Sequence, residues 1–156
     1  MYKFFDRNEE DKISLHDCKA AKVYIKKDVL QFEFPDGFRI YHNDRPGGKG
    51  RVVTTDQSRV DIRLTADDPS WAFTFYVFVP KKHGKVVRRE FSLKKLMRKI
   101  NEKGRTLEFI TAYRNKDTIV FECALWFKKR LYSRECLMIL NTDSVIYRWN
   151  NVVTSE

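Results

Sequence analysis

Leu15-His16-Asp17-Cys18 sets an imidazole, a carboxylate and a thiol on three consecutive residues, a dense group of chemically able side chains. On a strand, His16 and Cys18 share one face and Asp17 takes the other, with the two Cα atoms about 6.5 Å apart. That is loose for a thiol–imidazole dyad, whose reacting atoms must come within roughly 3 Å. The same two residues could ligate zinc, but a zinc site takes three or four protein ligands. Cys123 and Cys136 could complete the set, although no spacing signals it. The expectation is therefore a buried, hydrogen-bonded His16 beside a core Cys18, with no metal and no cofactor. His42 and His83 stand far from it in the sequence.

Gly47-Gly48-Lys49-Gly50 has the composition of a phosphate cradle but lacks the Gly-to-Gly-Lys spacing, the Ser or Thr after Lys, and a following helix. Within Asn43–Arg51 it reads as a mobile hairpin loop. No nucleophile elbow, metalloprotease helix, EF-hand, zinc ribbon or dinucleotide fingerprint occurs. The acidic runs Glu9-Glu10-Asp11 and Asp67-Asp68 fall in surface segments, so no carboxylate pair is assigned to acid–base work. The sequence supports no enzyme class.

Charge is the stronger signal. Residues 1–80 hold 13 Lys/Arg and 13 Asp/Glu, whereas residues 81–103 hold ten Lys/Arg against Glu90 and Glu102, a net +8. Residues 104–156 add 8 against 6, so 23 residues carry most of the +10. The ten cations are Lys81, Lys82, Lys85, Arg88 and Arg89, then Lys94, Lys95, Arg98, Lys99 and Lys103. Lys94 and Lys95 enter the first turn of a predicted helix, where the macrodipole disfavours cations by a few tenths of a kcal/mol. Their placement breaks a local rule without local gain, which points toward binding of an anion. The plain alternative is a solvated face that keeps the chain soluble.

The elements that must carry these residues are mostly strands. Residues 92–103 form the one convincing helix: Leu93, Leu96, Met97 and Ile100 repeat on one face, Ser92 caps it and Gly104 stops it. Elsewhere the period is two. Ala21, Val23 and Ile25 precede a turn at Lys27-Asp28, and Leu30, Phe32 and Phe34 follow it. A three-residue loop at Pro35-Asp36-Gly37 would set Phe34 opposite Phe38, Phe32 opposite Ile40 and Glu33 opposite Arg39. Val60, Ile62 and Leu64 make the next strand. Trp71–Val79 is apolar on both faces and reads as a central strand covered on both sides, on one of them by the helix.

Beyond Gly104, strands run through Leu107–Tyr113 and Ile119–Phe127, then Arg130–Leu140 and, after a turn at Asn141-Thr142-Asp143, Val145–Trp149. At Lys128-Lys129 two registers stay open, one pairing Cys123 with Arg134 and the other with Cys136. Met1–Ser14 fits a strand, a short helix or an arm. The fold expected is mainly β (α+β): one domain over residues 1–156, an antiparallel barrel or sandwich of about nine or ten strands, with one basic helix. No apolar run reaches the ~18 residues of a membrane span and residues 1–17 lack a signal-peptide core. With three cysteines read as free thiols, this gives the expectation of a cytoplasmic protein.

Ile13-Ser14-Leu15-His16-Asp17-Cys18, the strands after it and Pro35-Asp36-Gly37-Phe38 resemble small uncharacterised bacterial β-rich proteins that open with a Leu-His-Asp-Cys run. The resemblance spans residues 13–42. Some proteins of this look sit near immunity genes of toxin systems, which implies an inhibitor, although inhibitors of basic nucleases tend to be acidic and this chain is +10.

Three readings of function follow. The first is a non-enzymatic binding protein whose basic, helix-centred surface meets an anionic partner, either nucleic acid or an acidic protein. Tyr76, Tyr113, Tyr132 and Trp126 are candidates to stack on bases. The second is a barrel holding a small ligand, with chemistry at His16 or His42. The third is the immunity-type inhibitor.

Overall fold

The computed structural model describes residues 1–42 and 50–153, so the glycine-rich run at Gly47–Lys49 lies outside the described residues. Among the described residues the chain forms fourteen strands and one α-helix, an α+β fold dominated by antiparallel sheet. Period-two patterning sets the inner faces. Val23 of β4 (Lys22–Lys26), Leu30, Phe32 and Phe34 of β5 (Val29–Phe34), and Val60, Ile62 and Leu64 of β8 (Ser58–Leu64) are all buried. Lys27, left-handed at φ 56°, turns β4 into β5 with Lys26 opposite Val29.

Ten strands join into one sheet whose axis is β13 (Ser133–Trp149), 17 residues long. The first half of β13 lies between β12 (Thr118–Trp126) and β9 (Phe73–Pro80). Beyond β12 come β11 (Thr106–Arg114) and β3 (Cys18–Ala20); beyond β9 comes β10 (Val86–Phe91). The second half lies between β8 and β1 (Phe4–Arg7), with β5 and β4 beyond β8. The two halves meet through aromatic side chains. The Phe109 ring stands 4.9 Å from Phe121, 5.3 Å from Phe32 and 5.4 Å from Phe34 between centroids. Each such pair adds about 0.5–1.5 kcal/mol beyond its burial.

Partners change along β13 at a bulge, where the register shifts between Thr142 and Ser144. The turn expected at Asn141-Thr142-Asp143 is this bend. The Thr142 hydroxyl donates to the Ser144 carbonyl and accepts from its N–H, both at 3.1 Å. The hydroxyl thus serves backbone groups beside the bulge, and the strand bends without reversing.

The hairpin expected at Pro35-Asp36-Gly37 is also corrected. Gly37 is left-handed (φ 73°) and its N–H reaches the Phe34 carbonyl at 3.1 Å, but the chain then leaves the sheet. β6 (Arg39–His42) pairs with β2 (Ile13–Ser14) and β7 (Arg51–Thr55), and β14 (Val152–Val153) completes that smaller sheet. Phe38 is held by Thr55 rather than by Phe34: its carbonyl accepts from the Thr55 N–H at 2.9 Å and its N–H donates to the Thr55 hydroxyl at 3.0 Å. Glycine is required here, because a Cβ on Gly37 would collide with the Thr55 and Asp56 carbonyl oxygens. Glu33 consequently faces Lys22 and Arg59, not Arg39.

Trp71 is not in the strand. It sits 73% exposed in a short 3-10 turn (Pro69–Ala72) capped by Asp68, and β9 begins at Phe73. Phe73, Phe75 and Val77 face the core, while Thr74, Tyr76 and Phe78 are half-buried on a side that the helix does not cover.

The helix α1 (Leu93–Asn101) follows its sequence signals. The Ser92 hydroxyl accepts from the Lys95 N–H at 3.1 Å, Leu93, Leu96 and Ile100 are buried, and Gly104 is left-handed beyond its end. Its docking was not legible. The Asn101 side-chain amide donates to the Val23 carbonyl at 2.6 Å and its oxygen accepts from the Val23 N–H at 2.9 Å. α1 is thereby pinned to the edge strand β4 while it also contacts β9 and β10, so it bridges the two halves of the large sheet.

Candidate anion-binding cleft

Lys95, Lys99 and Lys103 recur every fourth residue and so lie on one side of α1 and its last turn. Opposite them stand Arg89 from β10, Arg105 just before β11, and Arg134 from β13. Arg89, Lys95, Lys99, Arg105 and Arg134 rim a hollow of about 220 Å³. Its floor is Val77, Val79, Phe91 and Phe127. A second hollow of about 440 Å³ shares Lys99, Arg105 and Phe127 and continues to Lys103 and Tyr132, with Lys128, Lys129 and Arg130 around it. No carboxylate lines either hollow.

The cleft exists because the β12–β13 loop folds toward the end of α1. Of the two registers left open, the structure has Cys123 opposite Cys136, with Trp126 opposite Ser133. The four-residue loop Lys128–Leu131 is closed by the Phe127 N–H on the Tyr132 carbonyl and by their stacked rings, 4.5 Å apart. Gly104 leaves room for this loop, since a Cβ there would lie 2.8 Å from the Lys128 side chain.

Crowded positive charge marks the cleft. Burial lowers the Lys99 pKa, and Arg105, Lys95, Arg98 and Lys103 lower it further. Burial also pulls Arg105 down, with Tyr132 opposing and Arg134 adding, although an arginine stays cationic. Four arginines elsewhere are paired with carboxylates. Arg59 and Arg148 share the buried Asp61 at 2.8 Å each, Arg63 pairs with Asp143 and Arg114 with Glu10. Among the described residues, none of the cleft cations has a carboxylate within ion-pair distance.

Of the ten cations singled out in the sequence, Arg89, Lys95, Lys99 and Lys103 enter the cleft. Lys94 and Arg98 turn to a neighbouring hollow with Ser92, Met97, Asn101 and Glu102. Arg88 points to the outer side of β10, 4.4 Å over the Tyr76 ring. Lys81, Lys82 and Lys85 are exposed at the tip of the β9–β10 hairpin. Sequence reasoning missed Arg105, Lys128, Lys129, Arg130 and Arg134, which lie outside the dense segment and meet it only through the loop. The Lys128-Lys129-Arg130 run was a visible signal, read as a turn.

The candidate stacking residues separate as well. Only Tyr132 reaches the cleft. Tyr113 is exposed, Tyr76 lies under Arg88, and Trp126 lies under Lys19 at 4.7 Å with its N–H on Glu108.

His16 sits in a turn between β2 and β3, not on a strand, with Asp17 left-handed at φ 61°. It is exposed rather than buried, held by its Nδ1 on the Ile110 carbonyl that the bulge in β11 frees, and its Nε2 lies 3.3 Å from Asp17. The Cys18 thiol, buried in the core, has the His16 and Ser14 carbonyls as its acceptors, and burial pushes it up to about 11. Among the described residues no three His, Cys, Asp or Glu side chains gather as metal ligands. His16 does border a cavity of about 320 Å³ that reaches Tyr147 past Phe109 and Phe121. Burial raises the Tyr147 pKa, with Glu10 adding to the rise and Arg114 opposing it. His42 is exposed on β6, opposite Arg51 and away from this cavity.

Among the described residues no helix is long and apolar enough to cross a membrane. In comparisons with protein-family models, curated proteins and solved structures, nothing matches this chain.

Proposed function

We propose that this protein binds an anionic polymer in the cleft between α1 and the β12–β13 loop, as a binding module rather than an enzyme. The observation that carries the reading is the pooling of nine Lys and Arg side chains around two hollows lined by no acid, while Arg59, Arg63, Arg114 and Arg148 are each paired. Holding cations together without counter-charge costs stability through self-repulsion. An arriving row of phosphates or carboxylates relieves that cost and releases its own counterions.

The test is a titration with a labelled single-stranded oligonucleotide, and with heparin, at two salt concentrations. If about five phosphates are neutralised, affinity falls about a hundredfold between roughly 50 and 200 mM salt. Absence of binding to DNA, RNA and heparin at about 50 mM salt would remove the polymer reading and leave an acidic protein surface as the partner.

A second reading, of a small-ligand site, is favoured by the cavity beside His16. The buried Tyr147 lines that cavity together with Glu10. Fragment binding that shifts the amide resonances of Ile110–Ala112 supports it, and a screen that leaves those amides unmoved rejects it.

A further inference from the structure

The cleft combines cations with flat π surface. The Tyr132 and Phe127 rings stack at 4.5 Å and 29°, and the Arg105 guanidinium lies 4.1 Å from the Phe127 centroid. The guanidinium of Arg134 lies 5.3 Å from the Tyr132 centroid. This column, two stacked rings between two guanidinium groups, forms a ridge, because the hollows of about 220 and 440 Å³ share Arg105 and Phe127. Lys99 is shared too, so a cation stands beside the ridge on the helix side.

Each half of this arrangement matches one half of a nucleotide. Unpaired bases stack on aromatic rings and on arginine planes whatever their sequence, while phosphates take the lysines. A duplex keeps its bases stacked inside and offers this cleft only phosphates. Heparin and acidic protein segments likewise offer anions without flat rings. Charge alone would make no use of a π column, and a π column alone would not need nine cations.

We infer that the cleft is a site for single-stranded nucleic acid, with bases seated against the Arg105–Phe127–Tyr132 column and phosphates on Lys99, Lys103 and Lys128. This rests on the polyanion reading above and narrows it to one class of partner.

The experiment compares three probes with the full chain at about 50 mM salt: a ten-residue oligothymidylate, an abasic ten-residue strand of the same charge, and a ten-base-pair duplex. The oligothymidylate is expected to bind at least about tenfold more tightly than the other two. Phe127→Leu, which keeps an apolar group at a half-buried position, is expected to bring the ratio of oligothymidylate to abasic affinity down to about one, whatever it does to the affinity of the abasic strand itself. Abasic and base-bearing strands binding within about twofold of each other would overturn the inference while the polyanion reading stands. A preference that survives Phe127→Leu would overturn it as well, because the bases would then sit elsewhere. If none of the three probes binds, the inference falls, and the polyanion reading falls with it once RNA and heparin also fail to bind at about 50 mM salt.

Discussion

At the scale of single residues, burial rather than partnership governs the three thiols. Cys123 and Cys136 face each other across β12 and β13, both reduced and both buried. Burial pushes the Cys136 thiol from its ordinary 9.0 up to about 12 and Cys18 up to about 11, and it raises Cys123 too. A thiol that ionises later in the folded chain than in the unfolded one contributes stability below its ordinary pKa. That contribution is lost as pH climbs toward the raised value. The protein should therefore hold its stability up to about pH 9 and lose it between about 9 and 12, by up to about 1.4 kcal/mol per pH unit for each such thiol. Urea midpoints at about pH 8 and about pH 10.5, with reductant present, measure this, and Cys136→Ala should flatten the fall. Equal midpoints at the two pH values would mean the thiols are reached by water in the native state. The sequence showed that Cys123 and Cys136 share a face but left open whether they pair, because a two-residue and a four-residue loop both suit Lys128–Leu131.

At the scale of elements, α1 was the most legible piece and its surroundings the least. Spacing and caps set its span, so Leu96→Ala should cost about 2–5 kcal/mol in chemical denaturation, as a fully buried leucine implies. A cost under about 0.5 kcal/mol would place the stripe at the surface. Nothing local reveals that Asn101 closes on both backbone groups of Val23, 78 residues away, since such a clamp exists only once the sheet has assembled. The crossing at Gly37 failed for a related reason. Pro35-Asp36-Gly37 has every local mark of a hairpin, and its glycine is left-handed as that reading requires. What carries the chain into the second sheet is Thr55, which a register argument between neighbouring strands never consults. Asn141-Thr142-Asp143 misled in the same way: turn-forming residues there serve a bulge, because the Thr142 hydroxyl bonds Ser144 in place.

At the scale of the whole molecule, the dense basic segment and the cleft are different objects. The segment is continuous in sequence, but β10 and α1 direct its cations to the hairpin tip, the outer side of β10, and both sides of the helix. Only those that meet Arg105 and the β12–β13 loop share hollows lined by no carboxylate, since the hollow at Lys94 and Arg98 includes Glu102. The central claim is that this surface, and not the net charge of the protein, binds the anion. Two charge-reversed proteins test it. One carries Lys99→Glu, Lys103→Glu, Lys128→Glu and Lys129→Glu in the cleft. The other carries Lys81→Glu, Lys82→Glu, Lys85→Glu and Lys94→Glu, which change net charge equally from the same basic segment or its hairpin tip. None of these eight side chains belongs to the buried core, so both proteins should fold. With the ten-residue oligothymidylate at about 50 mM salt, the cleft variant should lose binding and the second variant should stay within a fewfold of the parent. Equal losses in the two would contradict the account, because net charge alone would then explain the affinity.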